Sequence, residues 1–359
     1  MKKNLEDFNF KHNTTIPVDE FIDRSLYKPD IGYYMRKVPF GKRGDFITAP
    51  TISNLFSEII AIWVVSSWEK LGRPSKFNFV ELGPGDGSLA KVLIKTFKKF
   101  PELDKAIEFF LYEKSKYLIK IQKKKLKGFK VRWLQNFSKI KNGPIIFFGN
   151  EFFDAIPIKQ FLYHDKILLE KCYKINLRFH LREIYREAKK EDIEKIKLFK
   201  IFKGHKFIEF PKLGISELSK MIKKIKNLSG GIMLIDYGYL NVKNKSTIQA
   251  VMKNKKIKIE QLPKNLGKAD ITSLVNFKLL KEYFLKSDLK VKKIVSQKFF
   301  LEKMGIIERA KILEKNMSNK EKEYMSFTLQ RLLNKDLMGD LFKVIFAFKS
   351  NNNNFLGFK

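Results

Sequence analysis

The stretch Val80-Glu81-Leu82-Gly83-Pro84-Gly85-Asp86-Gly87-Ser88-Leu89 decides the fold. It closes an apolar run over residues 77–82, which is typical of a buried strand. Residues 89–100 follow with apolar positions spaced by about 3.6, which predicts a helix. Glycines at alternate positions between a strand and a helix let the backbone approach a ligand closely. The stretch therefore predicts a strand, a ligand-binding turn and a helix.

The same rhythm continues along the chain. Further apolar runs predict strands over residues 107–112, 129–134, 145–148, 232–235 and 341–348. Helix-like stretches occur at residues 18–25, 53–71, 116–125 and 215–225, and Ser53 is the expected N-cap of the second. Strands that alternate with helical crossovers indicate a mostly parallel sheet covered on both faces. The predicted fold class is therefore α/β.

The spacing of the glycines limits the class of ligand that the turn can bind. In the dinucleotide-binding fingerprint the third glycine follows the second by three residues, whereas here the interval is two. A compressed G-x-G-x-G led by an acid, here Glu81, resembles the first motif of class I S-adenosylmethionine (SAM) methyltransferases. The resemblance implies that SAM is the cofactor, that Glu81 lies near its amino group, and that the turn residues contact it, namely Gly83, Pro84, Gly85 and Gly87. NAD remains the alternative ligand.

A second acid is expected at the end of the next strand. Glu113 stands there, and a carboxylate is suited to accept hydrogen bonds from both ribose hydroxyls. The alternatives are a glycine-rich structural turn and a carboxylate that pairs with Lys114 or Lys116. Asn136 or Gln135, after the third strand, would lie where the methyltransferases bind adenine.

Asn150, Glu151 and Asp154 follow the fourth predicted strand. In an open parallel sheet the carboxyl ends of the strands form the ligand crevice, so these are the candidate catalytic residues. Methyl transfer from SAM is an in-line displacement, for which the enzyme positions the nucleophile and handles its proton. Two carboxylates can hold a guanidinium bidentately. The alternative is that Asn150 and Asp154 cap a following helix.

Several blocks in one order resemble the MidA-like methyltransferases. They are residues 41–50, 52–53, 56–58, 81–87, 150–157, 160–161, 236–238, 269–272, 297, 299–305, 338–339 and 341–343. The resemblance covers roughly residues 15–348, and so many ordered matches have a low chance rate. It implies a class I methyltransferase sheet, SAM as donor, and an acceptor arginine on the respiratory complex I subunit that helps form the quinone site, in support of assembly. It also implies that part of the first block folds over the cofactor, namely Gly44, Asp45, Phe46 and Thr48.

The chain departs from the family pattern at two places. Phe56-Ser57-Glu58 stands where Phe-Gly-Glu is usual, a change of one small residue for another. Residues 273–277 stand where the family has Ala-His-Val-Asp-Phe, so that Leu274 and Asn276 replace a histidine and an aspartate. Asp270 and Thr272 remain as candidates for the site. The alternative function is a non-catalytic protein- or RNA-binding assembly factor on a methyltransferase fold.

The predicted division of the chain has five parts. They are an N-terminal helical and loop extension contributing to the site (1–73), a SAM-binding Rossmann-like half (74–160), an insertion forming a substrate or partner subdomain (161–228), the C-terminal half of the sheet with its helices (229–350), and a disordered, asparagine-rich tail (351–359).

Composition bounds the partners and the compartment. The 359 residues carry a formal charge of +35, but the lysine runs lack the interleaved aromatic residues of a single-strand binding platform, so they predict solvated faces rather than nucleic-acid binding. One cysteine, Cys172, and four scattered histidines predict neither a disulfide nor a metal site.

The apolar run over residues 59–65 is far shorter than the roughly 20 residues that cross a bilayer. The first 15 residues resemble no targeting segment. We expect a cytoplasmic bacterial protein, or a mitochondrial matrix protein if eukaryotic, with a protein substrate; a homodimer is left open.

Overall fold

The computed structural model describes residues 5–11, 13–37, 54–176, 178–241 and 243–359. The α-helices of these residues are α1 Val18–Tyr27, α2 Tyr33–Arg36, α3 Asn54–Lys70, α4 Ser88–Phe97, α5 Pro101–Ala106, α6 Lys116–Lys125, α7 Lys190–Lys197, α8 Lys212–Leu228, α9 Phe277–Lys286, α10 Gln297–Lys303, α11 Ile306–Glu314 and α12 Asn319–Leu333. Short 3-10 turns span Leu5–Phe8, Lys200–Phe202 and Ile259–Lys264, and a π-helical turn spans Lys335–Gly339.

The strands of the same residues are β1 Thr15–Pro17, β2 Phe77–Leu82, β3 Ile107–Tyr112, β4 Val131–Leu134, β5 Ile145–Asn150, β6 Lys159–His164, β7 Ile167–Ile175, β8 Leu181–Glu187, β9 Phe207–Phe210, β10 Gly230–Tyr239, β11 Gln249–Met252, β12 Lys255–Ile257, β13 Asp270–Thr272, β14 Val275–Asn276, β15 Lys290–Val291, β16 Val295–Ser296 and β17 Phe342–Lys349. The strands predicted at 77–82 and 107–112 have the expected bounds. Those predicted at 145–148 and 232–235 are longer in the structure.

A large sheet organises the molecule, with the strand order β15-β17-β10-β5-β2-β3-β4. The five strands from β10 to β4 run parallel, and β17 runs antiparallel to β10. Every residue of β2 is buried, because a parallel sheet has both faces covered. Four of its six residues are apolar, and the other two, Asn78 and Glu81, are buried polar residues. The predicted α/β class with a mostly parallel sheet is confirmed.

Two hydrophobic cores cover the opposite faces of this sheet. Phe79 belongs to the core that includes α3, α4 and α5 together with α10 to α12, whereas its neighbour Val80 belongs to the core that includes α8 and α9. Successive strand residues point to opposite faces, so adjacent apolar residues serve different cores. The carboxyl ends of the parallel strands remain as the edge at which a ligand can bind.

A second, antiparallel sheet has the order β1-β7-β6-β9, with β8 paired to β7. Strands β7, β8 and β9 come from the predicted insertion, β6 begins two residues before it at Lys159, and β1 comes from the N-terminal extension. Helix α8, which the predicted insertion also contains, packs on the large sheet instead through Leu218, Met221 and Ile225. The packing therefore separates α8 from the strands that precede it, while the division into domains stays a prediction.

A buried group of charged side chains joins the second sheet to neighbouring helices. Lys159 on β6 is paired with Glu170 on β7, and its Nζ lies 3.3 Å from an oxygen of Asp192 on α7 and 3.9 Å from one of Asp19 on α1. The side chains of Glu170 and Asp192 are 1% and 0% exposed. A charge removed from water needs such partners, so Lys159 holds these elements together.

The prediction of a disordered tail is wrong. Phe355 and Phe358 are buried, with the Phe355 ring centroid 4.9 Å from that of Phe348 and the Phe358 centroid 6.0 Å from that of Phe346. Gly357, at φ +85°, lets the chain turn between them. The asparagine run is typical of disorder by composition, but two phenylalanines beyond it find apolar surface on the large sheet.

Candidate active site

The glycine turn joins β2 to α4 at the carboxyl edge of the sheet. Gly83, Gly85 and Gly87 have φ values of 60°, 56° and 81°, in the left-handed region that glycine adopts without strain. A Cβ on Gly83 would lie 3.0 Å from the Phe152 ring, so the turn also needs glycine for space. The carbonyl of Pro84 accepts the N–H of Gly87 at 2.9 Å, which closes the turn just before α4 begins.

Glu81, the penultimate residue of β2, is 3% exposed. Its Oε2 atom has no hydrogen-bond partner among the residues that the structure describes. Burial, together with the negative charges of Asp86 and Glu113, raises the pKa of Glu81 to about 8. A buried carboxylate of this kind is costly unless a cation or donor reaches it.

Glu113 follows β3, as predicted. Its Oε1 accepts the N–H of Ser115 at 2.8 Å, and its Oε2 accepts the side-chain amide of Gln122 at 3.2 Å. Burial raises the pKa of Glu113 to about 7, against the opposing effect of these hydrogen bonds. Each carboxylate oxygen has a further lone pair available for another donor.

The loop after β5 carries the candidate catalytic residues. Glu151 has a φ of 51°, and its backbone N–H donates to the Ile235 carbonyl at 2.9 Å. The side-chain amide of Asn150 donates to Glu151 Oε1 at 3.0 Å. A left-handed backbone at a residue other than glycine is uncommon and persists only where neighbouring contacts hold it.

Asp154 lies deeper in the same loop and is 6% exposed. Its Oδ1 has no hydrogen-bond partner among the described residues, and burial raises its pKa to about 6, while a hydrogen bond from Tyr237 opposes the shift. Asp236, on β10, accepts the backbone N–H groups of Phe153 at 2.8 Å and Asp154 at 3.1 Å. Burial and the charges of Asp154 and Glu151 raise the pKa of Asp236 well above its usual range. Asp236 therefore anchors this loop.

The glycine turn, Glu113 and Glu151 meet at a cavity of about 290 Å³, which Glu81, Asn150 and Asp154 do not line. Gly83, Gly85, Glu113 and Glu151 line it, so the structure brings together the glycine turn, the second acid and one candidate catalytic acid. Its other lining residues are Asp23, Tyr27, Tyr34, Tyr112, Lys114, Leu118, Phe152, Ala155, Ile156, Pro157, Leu213 and Glu217. Four carboxylates against one lysine give the lining an acidic character, although the whole chain is strongly basic.

Two tyrosines from the N-terminal helices form one wall of the cavity, a feature that sequence reasoning missed. The rings of Tyr27 and Tyr34 stack with centroids 5.6 Å apart. The Tyr27 hydroxyl donates to the carbonyl of Ala155 at 2.9 Å, and that of Tyr34 donates to Asp270 Oδ1 at 2.8 Å. Asp270 is thus a partner of the cavity wall, on strand β13 rather than at a helix cap.

Other candidates lie elsewhere. Asn136 is exposed and does not line this cavity; its Oδ1 accepts the N–H of Ser138 at 3.0 Å, in a local turn. Asn276 caps α9, since its Oδ1 accepts the N–H of Leu279 at 3.0 Å. Aspartate and asparagine are equally good N-caps, so the departure at Asn276 keeps this local role. Four further candidates lie outside the described residues, namely Gly44, Asp45, Phe46 and Thr48, as does Ser53.

The residues present fit SAM. The unpartnered Oε2 of Glu81 suits an ammonium group, and the lone pairs that remain on Glu113 suit a pair of hydroxyls. The glycine turn allows close approach without presenting a phosphate site of the dinucleotide type. The part of the chain that the structure describes contains no group of three or more histidine, cysteine, aspartate or glutamate side chains placed to hold a metal ion.

The parallel sheet, its antiparallel β17 and the acid-led glycine turn at the switch point define the class I methyltransferase fold. A family model describing S-adenosyl-L-methionine-dependent methyltransferases matches residues 59–295, and the chain belongs to this MidA-like family. It is accordingly a SAM-dependent methyltransferase.

The similarity to known proteins covers most of the chain. The mitochondrial protein arginine methyltransferase NDUFAF7 homolog of Drosophila melanogaster is 28% identical over 93% of this chain and 81% of its own length. The human protein arginine methyltransferase NDUFAF7 is 28% identical over 93% and 80%. A Burkholderia thailandensis protein solved with S-adenosyl-homocysteine covers 96% of this chain and 90% of its own, at 23% identity and a TM-score of 0.80, which shows a shared fold.

The relatives' names bear on location. Both arginine methyltransferases are named mitochondrial, which is consistent with the matrix location predicted for a eukaryotic protein, while the cytoplasmic location predicted for a bacterial one stays a prediction. Among the helices that the structure describes, none combines the length and apolar character needed to span a bilayer.

Proposed function

We propose that this methyltransferase transfers the methyl group of SAM to an arginine side chain of a protein. One observation carries the proposal: Glu151 lines the same acidic cavity as the glycine turn and Glu113. A guanidinium is a planar cation that carboxylates bind bidentately, so an acidic cavity beside the methyl donor favours this acceptor. The names of the relatives, protein arginine methyltransferases, support the same acceptor.

In the proposed site the cofactor residues have separate tasks. Glu81 faces the ammonium group, Glu113 binds the ribose hydroxyls, and the turn from Gly83 to Gly87 contacts the methionine portion. The predicted contacts of Gly44, Asp45, Phe46 and Thr48 with the cofactor concern residues outside the described part of the chain. Asn136, the residue proposed for the adenine, lies outside the cavity.

Glu151 and Asp154 would act on the acceptor. When bound, SAM supplies an electrophilic methyl group. Glu151 orients the guanidinium for in-line attack, with Asn150 fixing the Glu151 carboxylate through a 3.0 Å hydrogen bond. Asp154, with a pKa of about 6, is ionised near neutral pH and is available to accept the proton that the methylated nitrogen loses. The proton then leaves to solvent as the product departs.

The division of roles is tested with Glu113→Ala and Glu151→Ala. Calorimetric titration with S-adenosylhomocysteine should show at least a tenfold weaker affinity for Glu113→Ala, because hydrogen bonds to a charged group are lost. Glu151→Ala should keep the affinity within about threefold and lower labelled methyl transfer at least 100-fold. Glu323→Ala, an exposed glutamate on α12, is the matched control for both. Equal losses of affinity in both variants would refute this division.

We further propose that the acceptor belongs to respiratory complex I, on the subunit that helps form its quinone site, and that methylation supports assembly in a bacterial cytoplasm or a mitochondrial matrix. Mass spectrometry of that subunit from a deletion strain should show an arginine 14 Da lighter per missing methyl group than in the parent strain. Unchanged methylation would remove this acceptor. A protein that binds no SAM and transfers no methyl group would instead support the non-catalytic assembly factor.

A further inference from the structure

The amide of Gln122 lies beneath the cofactor side of the cavity, between the glycine turn and the second acid. Gln122 is on α6 and is completely buried. Its Nε2 donates to the carbonyl of Gly85 at 2.8 Å and to Glu113 Oε2 at 3.2 Å. One side chain therefore contacts both the glycine turn, which follows β2, and Glu113, which follows β3. These are the two parts of the site that the cofactor would touch.

Trp133, on β4, determines which way this amide faces. The indole Nε1 donates to Gln122 Oε1 at 2.8 Å. An indole N–H is only a donor, so it must meet the oxygen of the amide and never the nitrogen. The nitrogen is thereby directed at two acceptors, Gly85 and Glu113. All three hydrogen bonds agree with this orientation of the amide. A flipped amide would place its nitrogen against the donor of Trp133 and its oxygen against the acceptor oxygens of Gly85 and Glu113.

The packing around Gln122 leaves little room for adjustment. A Cβ on Gly87 would lie 3.6 Å from the Gln122 Cγ and 3.7 Å from its Cα, so the glycine turn rests directly on this residue. Leu118 and Leu126, one turn before and after it on the same face, are both buried. The amide is thus fixed both by packing and by its hydrogen bonds.

We infer that Gln122 is the positioning residue of the cofactor site: it sets the separation between the glycine turn and the Glu113 carboxylate and keeps that carboxylate ionised for the ribose. Donation from Nε2 stabilises the charged form of Glu113. It also leaves the remaining lone pairs of Glu113 directed at the cavity. The inference rests on the proposed role of Glu113 in binding the cofactor.

The test is the affinity for S-adenosylhomocysteine as a function of pH, measured by calorimetry for the full chain between pH 6 and 9. In the wild-type protein the affinity should fall in two steps as pH decreases, through the pKa of Glu81, about 8, and then through that of Glu113, about 7, whose ionised form Lys114 also favours. The midpoint of the lower step is the one compared among the variants. Gln122→Leu removes the donor, so the affinity at pH 7.5 should fall at least tenfold, and the midpoint of its pH dependence should move to higher pH. Trp133→Phe keeps an aromatic ring but frees the amide, and should shift the midpoint in the same direction by less.

Two controls separate the explanations. Gln330→Leu makes the same chemical change at an exposed position of α12 and should leave affinity and midpoint unchanged. Glu113→Gln should weaken binding and remove the lower step, leaving only the step of Glu81, whose pKa is about 8 in the wild type; if it binds as the wild type does, the proposed role of Glu113 fails. If Glu113→Gln behaves as expected while neither Gln122→Leu nor Trp133→Phe moves the midpoint, the inference about Gln122 alone is overturned. Because Trp133 is partly exposed and its variant keeps the ring, the test does not depend on the folding of Gln122→Leu.

Discussion

Replacing Glu81 by glutamine should stabilise the protein and weaken cofactor binding at the same time. The carboxylate is buried, and its Oε2 has no hydrogen-bond partner among the described residues, so ionisation in the folded protein without cofactor is unfavourable. Its pKa is about 8 in the folded chain against an ordinary value of 4.5. Glutamine has nearly the same shape as the protonated side chain and cannot ionise.

The sign and size of the stability change expected for Glu81→Gln follow from the linkage between proton binding and folding. Between pH 4.5 and 8 the unfolded chain has released the proton of Glu81 while the folded chain retains it, so the free energy of unfolding falls as pH rises. Each pH unit costs about 1.4 kcal/mol, which accumulates to about 4 kcal/mol at pH 8. At pH 5 the same comparison gives less than about 1 kcal/mol. The advantage of Glu81→Gln over the wild type should therefore grow with pH.

Urea denaturation between pH 5 and 8.5, without cofactor, measures this difference. Glu323→Gln provides the same isosteric change at an exposed position and should show no pH-dependent difference. Calorimetry at pH 7.5 should meanwhile give at least tenfold weaker binding of S-adenosylhomocysteine by Glu81→Gln, because the ammonium group loses a charged partner. A stability difference that does not change between pH 5 and 8 would refute the assignment of a costly buried carboxylate.

Three further predictions concern other parts of the molecule. Asp236→Ala should lower methyl transfer about 100-fold and keep the affinity for S-adenosylhomocysteine within about threefold, because it removes the acceptor of the Phe153 and Asp154 N–H groups and leaves the glycine turn intact; parallel losses in both assays would contradict this. Removing residues 351–359 should lower the free energy of unfolding by about 3 kcal/mol, since Phe355 and Phe358 lose their buried positions, and an unchanged urea midpoint would show that they contribute nothing. Lys159→Met should cost about 3–5 kcal/mol in the same assay, because it leaves buried carboxylates without their cation; a neutral effect would show that methionine packing replaces the ion pairs.

The large sheet and the glycine turn could be predicted because their signals are local. Four of the six residues of Phe77–Leu82 are apolar, the turn follows at once, and Glu113 comes directly after the next strand, so local pattern and position along the chain were sufficient. Glu151 reached the same cavity for a general reason, since parallel strands present their carboxyl ends at one edge.

Contacts between distant segments were not predictable in the same way. Tyr27 and Tyr34 belong to short helices near the start of the chain. Nothing in the sequence around them indicates that they contact Ala155 and Asp270. Gln122 did leave a signal: it occupies an apolar position in the helical series with Leu118 and Leu126, where a polar residue needs buried partners. Surrounding lysines obscured that series.

Two predictions, the disordered tail and the adenine contact of Asn136, rested on composition or on position along the chain alone. Four consecutive asparagines predict disorder, but composition does not register the two phenylalanines that follow and the surface that receives them. The place of Asn136 after the third strand predicts a contact with adenine, but its side chain instead closes a turn by accepting the N–H of Ser138. In both cases a short local interaction or a distant apolar surface decided the outcome.

The wall built by the N-terminal helices has a consequence for the order in which the site forms during synthesis. Arg36 donates to the carbonyl of Gly267 at 2.9 Å, across 231 residues of chain, and Tyr34 reaches Asp270 across 236. At about 5–20 residues per second, a ribosome needs roughly 10–50 s to add that length. The glycine turn and Glu113 emerge long before Gly267, so the growing chain can fold the cofactor side first. The wall of the cavity acquires its last contacts only when about three quarters of the chain has been made.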